Sequence, residues 1–129
     1  MTMTQILPII SGCLAVLFIF YTATRDGDMK NRWIVPALFS LLFFGFSIAS
    51  VISEGPFGFW PEHTRNLWGN QIWFDLLLAV CIGWFLIAPK AKSLGMKLFP
   101  WGIIVMGTGC IGFTAMLARM LYLQDRTRK

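Results

Sequence analysis

GNQIWFDLLLAVCIGWFLIA, residues 69–88, carries one charge, Asp75, in an otherwise apolar run that ends at Pro89. About 20 apolar residues at 1.5 Å each match the ~30 Å hydrocarbon core of a bilayer. Reading outward, three more blocks have the same character: QILPIISGCLAVLFIFYTA at 5–23, a Phe-rich block at 33–52, and a block at 100–123. Short polar clusters separate them. We therefore expect an all-α protein: an integral membrane four-helix bundle, antiparallel neighbours joined by short loops, in one transmembrane domain over residues 1–129.

Composition supports lipid as the solvent. Hydrophobic residues make up 57% of the chain and charged residues 13%, with a mean hydropathy of +0.67. A soluble domain has about a quarter of its residues charged, and a chain this short needs that polar cover. The net charge of +5 then reads as loop Lys and Arg held at an anionic leaflet, so nucleic acid is not an expected partner. Block one has no basic residue ahead of it and is long for a signal peptide, so it reads as a retained span.

Details within the blocks follow from the same solvent. Pro8 and Pro100 fall near helix starts, where proline is tolerated. Ser40, Ser47 and Ser50 can bond back to their own helix. The connection SEGPFGFWPEHTRNLW, 53–68, holds two prolines and two glycines and should not be one continuous helix. Its Phe57, Phe59 and Trp60 suit the headgroup region. Trp33, Trp68, Trp73 and Trp101 lie near span ends, as interfacial anchors should, and so do Tyr21 and Tyr122.

With four spans, loops 24–32 and 89–99 share one side and carry six Lys or Arg. Arg65 and the C-terminal basic residues fall on the other side, with Arg119 inside the end of block four. This is a weak bias. The early loop weighs most, so loops 24–32 and 89–99 are expected in the cytoplasm and both termini outside.

Two ionisable residues fall inside spans, Asp75 and Arg119. Charges at such depth are rare and usually face protein or water. In adjacent antiparallel helices they would lie at similar depth. Asp75, Ala79 and Gly83 form one stripe, and Thr108, Gly112, Ala115 and Arg119 another. Small stripes let helices approach closely in lipid. The third and fourth helices are expected to pack along this seam, with Asp75 paired to Arg119. The pair can serve register alone. It can also floor a ligand-binding cup with Asn70, Gln71, Glu62, His63 and Arg65, sized for a lipid headgroup, a quinone or a small anion.

Other chemistry is sparse. Cys13, Cys81 and Cys110 all lie in apolar blocks with no C-x-x-C pair, so neither disulfide nor zinc site is expected. One histidine excludes bis-histidine haem ligation. No phosphate loop or nucleophile–base spacing is present. No catalytic residue, metal or cofactor is expected, beyond a possible bound lipid or quinone. Glycines 107, 109 and 112 read as packing positions in an apolar helix.

WGNQIWFDLLLA (68–79) and PWGIIVMGTGCIGFTAMLARMLYL (100–123) resemble the second half of small bacterial inner-membrane proteins known only as domains of unknown function. There too an aspartate follows a Trp–Gly pair near the start of a span. The resemblance covers about half of the chain. It implies the bacterial inner membrane and no activity. Two functions remain in view. One is a non-catalytic accessory, assembly or scaffold subunit packed against other membrane subunits or itself. The other is a small oligomeric transporter, or a lipid- or quinone-binding protein, built on Asp75 and Arg119. A lipid-modifying enzyme using Asp75, Glu62 and His63 is a third, with no nucleophile–base geometry to support it.

Overall fold

The computed structural model describes residues 2–24 and 31–127. The protein is all-α. Among the described residues there are six helices: α1 (Met3–Thr24), α2 (Ile34–Glu54), α3 (Phe59–Thr64), α4 (Leu67–Ser93), α5 (Leu98–Thr108) and α6 (Cys110–Thr127). Three of them, α1, α2 and α4, are long and apolar enough to cross a membrane. They match the first three sequence blocks to within a few residues. The exception is the C-terminal end of α4. It continues past Pro89 to Ser93, with Lys90 and Lys92 in its last turn, where cations complement the helix dipole.

The fourth block is the main departure. It is not one helix over 100–123 but two, broken at Gly109. Gly109 has φ 58° and ψ −126°, a conformation that glycine adopts without a Cβ clash. The chain then folds back on itself. Leu98 and Trp101 pack on the same cluster as Met116 and Met120. A straight helix would separate residues 98 and 120 by about 33 Å. A Cβ added at Gly112 would lie 2.9 Å from the Ile104 carbonyl oxygen, which only a reversed chain allows. Thr108 serves both arms of this hairpin. Its hydroxyl donates to Ile104 O (2.7 Å) and accepts from Gly112 N (3.0 Å). It thereby satisfies an orphan N–H of the first turn of α6, as a helix terminus in an apolar medium requires, while bonding back to its own helix in α5.

The hairpin is the centre of the molecule. Ala91 and Met96 at the end of α4, and Met116 and Met120 of α6, form the buried cluster, with Met116 at 0% exposure. Phe113 rests on Gly83. Contacts therefore advance along α4 and α6 in the same direction, and the two helices run parallel. The sequence expectation was antiparallel, and the fold-back at Gly109 is what inverts it. On the other flank α2 runs antiparallel to α6. Ser40 Oγ donates to Ile111 O at 3.0 Å, and Trp33 meets Tyr122 edge-on at 5.5 Å. Ser40 is thus bonded across helices, contrary to the back-bonding expected of it, whereas Ser50 does bond back to Phe46 O. Helix α1 has no buried residue, and its Phe18 meets Phe39 of α2 at 5.6 Å.

This arrangement brings the start of α2, the end of α4 and the end of α6 to one end of the molecule. The C-terminal basic residues described, Arg119 and Arg126, therefore lie at the end that holds Lys90 and Lys92. The sequence reading had put them at the opposite end.

Candidate functional site

Seven residues were expected to form a cup, and the structure divides them into three places. Glu62, His63, Arg65 and Asn70 come together where α3 folds onto α4. The backbone of Asn66 is extended (φ −160°), and its side chain caps α4 by accepting from Gly69 N at 2.9 Å. Gly69 is buried against the Glu62 and His63 carbonyls, leaving no room for a Cβ. The Asn70 amide donates to His63 O at 2.7 Å. These contacts fold α3 down so that the His63 ring lies 4.9 Å from Trp73, with Phe59 6.1 Å from the same indole. Arg65 and Glu62 form an exposed ion pair at 3.4 Å, which contributes little to stability. His63 thus packs at a tilt of 42° against Trp73 in an aromatic elbow, and Phe59 stacks on the same indole. Asn70 is committed to holding that elbow shut.

Asp75 and Arg119 are not paired. Because α4 and α6 run parallel, the Gly83–Phe113 contact and the cluster that Ala91 shares with Met116 and Met120 put Arg119 near the level of Pro89. Fourteen residues separate Pro89 from Asp75, about 21 Å along the axis. Arg119 is exposed and sits 5.8 Å from the Tyr122 ring, with Arg126 at 5.2 Å from the same ring. With Trp33 they make a basic and aromatic collar at the α2/α6 end. The spacing of Arg119, Tyr122 and Arg126 (i, i+3, i+7) puts them on one helix face, a signal that reading Arg119 as an intramembrane charge obscured.

Asp75 is exposed, as are Gln71 and Ala79 beside it. Asp75 precedes Trp84, which packs on the core, by nine residues, about two and a half turns. It therefore projects from the far side of α4. Among the described residues Asp75 has no hydrogen bond or ion pair, and the Glu62–Arg65 pair lies ten or more residues before it.

The packing stripe is also revised. Gly83 does make a close approach to α6, but its neighbour is Phe113, not Gly112 or Thr108. Thr108 and Gly112 belong to the hairpin apex, and Ala115 is half-buried on α6. An apolar groove of about 400 Å³ between α2 and α6 is lined by Phe39, Leu42, Phe43, Phe46, Cys110 and Thr114; it has no charged group to orient a polar ligand. The three cysteines are free thiols. Among the described residues no three His, Cys, Asp or Glu side chains converge as metal ligands would. Comparison with family models, curated proteins and solved structures gives no match.

Proposed function

We propose that this chain is a non-catalytic subunit of a bacterial inner-membrane complex, an accessory or scaffold protein whose exposed helix faces pack on other membrane subunits. The observation that carries this reading is the imbalance between its helices and its core. Helix α1 is 22 residues long with nothing buried, and the most apolar windows of α2 and α4 are 6% buried. The internal packing is confined to the hairpin, the helix segments beside it and the α3–α4 elbow.

The membrane topology follows from the hairpin. Helices α1, α2 and α4 cross the bilayer, so the protein is multi-pass. Helix α5 is 11 residues, about 16 Å, or half of a ~30 Å core. It enters, turns at Gly109 near the midplane, and α6 returns to the same face, so the bundle has three spans and a re-entrant hairpin. The basic residues support this layout better than four spans do. Three lie in 24–32, three in 89–99 and four from residue 119 onward, so ten of the eleven Lys and Arg share one face and Arg65 alone is on the other. The positive-inside rule makes the ten-charge face cytoplasmic. Loops 24–32 and 89–99 then lie in the cytoplasm with the C-terminus, and α1 begins outside.

The alternative, a transporter or a lipid- or quinone-binding protein, needed Asp75 and Arg119 in one pocket; with about 21 Å between their levels that pocket has lost its floor. Purification in mild detergent with intact-complex mass spectrometry tests the subunit reading. A stoichiometric membrane partner is expected. A monodisperse monomer carrying a metabolite would refute it.

A further inference from the structure

We infer that the outward face of α4 around Asp75 docks a partner transmembrane helix bearing a lysine or arginine at the same level of the outer leaflet. This rests on the subunit reading above and names the chemistry of the partner. Asp75 is about 12 Å along α4 from Leu67. Around it Leu78, Ile82 and Leu86 are all exposed, so the carboxyl group sits in an apolar helix face. That face points away from the hairpin. Contacts within the chain link α4 to α3, α5 and α6 only, and neither α1 nor α2 reaches it. Intramembrane carboxylates pair with cations or face water. Asp75 has no cation partner among the described residues.

Charge decides which occupant fits. A second copy would bring Asp75 against Asp75, with no cation between them. The copy has no free cation to offer at that level. Arg65, the one basic residue on that side, is ten residues earlier, beyond the α3–α4 corner, and bonded to Glu62. The other ten basic residues belong to the opposite face. Counted from the start of the span at Gly69, the headgroup level lies about 9 Å from Asp75, and a lipid adduct is one of the outcomes tested below. A partner helix with its own lysine or arginine supplies the missing charge, and the flanking Leu78, Ile82 and Leu86 supply an apolar surround that excludes water and strengthens the pair.

The test uses the full chain in its own membrane, with a photo-crosslinking amino acid at Ile82 and, as a control face, at Phe44 of α2. An adduct is expected from Ile82 with a membrane protein carrying a lysine or arginine in a spanning segment. Asp75→Asn should cut that adduct at least tenfold, Asp75→Glu should preserve it, and Asp75→Lys with the partner's cation changed to aspartate should restore it. Thermal unfolding in detergent checks that Asp75→Asn still folds. An adduct indifferent to Asp75→Asn, formed only with a second copy or with lipid, or formed with a helix lacking a cation, overturns the inference. A stoichiometric partner crosslinked solely from Phe44 overturns it while leaving the subunit reading intact. No stoichiometric partner by either probe removes both.

Discussion

Gly109 decides the course of the last thirty residues. Its backbone (φ 58°, ψ −126°) is one that a residue with a Cβ enters at a cost of about 1–3 kcal/mol. Gly109→Val should therefore lower stability in detergent by that amount, read as an earlier unfolding transition, while Gly107→Ala, where a Cβ meets nothing within 4 Å, should not. Thr108 should be the next most sensitive position. Thr108→Val keeps the shape and removes the hydroxyl that serves Ile104 and Gly112, with an expected loss of about 1 kcal/mol. None of this was legible beforehand. GTGC inside an apolar block looks the same whether its glycines pack helices or turn a corner, because a dihedral angle leaves no trace in composition. The elbow was partly legible: two prolines and two glycines in 53–68 foretold a broken segment. The packing of His63 against Trp73 depends on a cap at Asn66 that sequence reading did not single out.

Among the elements, the three long helices were readable because bilayer thickness imposes a length and apolar side chains reveal it. The fourth block met the same length criterion with α5 and the start of α6 run together, so apolar length alone could not separate a span from a hairpin. One error propagated from this. Antiparallel pairing of the third and fourth helices put Asp75 beside Arg119; parallel pairing moves them apart by most of a membrane's thickness. The close approach at Gly83 survived with a different neighbour, since small residues mark where a helix is approached and not by what. Gly83→Leu should force the Phe113 ring off α4 and destabilise the hairpin by about 1–3 kcal/mol. Phe113→Ala in the same chain should recover part of that loss, because it vacates the space the leucine needs. Strict additivity of the two changes in thermal unfolding would contradict the contact.

For the whole molecule, the residues that looked ambiguous become ordered once the chain reverses. Four spans divided the basic residues into nearly equal sets and left orientation weakly determined. The proposed layout of three spans and a re-entrant hairpin would gather ten of the eleven Lys and Arg of the sequence on one face, a distribution that membrane insertion reads directly. The most direct test is the side on which the C-terminus emerges relative to the loop before α5. Cysteines placed singly at Ser93 and Thr127, in a variant lacking Cys13, Cys81 and Cys110, can be treated with a membrane-impermeant thiol reagent in intact cells and again after permeabilisation. Both positions are expected to stay unlabelled until the membrane is opened. Labelling of Thr127→Cys in intact cells while Ser93→Cys remains protected would mean that the chain crosses a fourth time and that the hairpin at Gly109 does not exist.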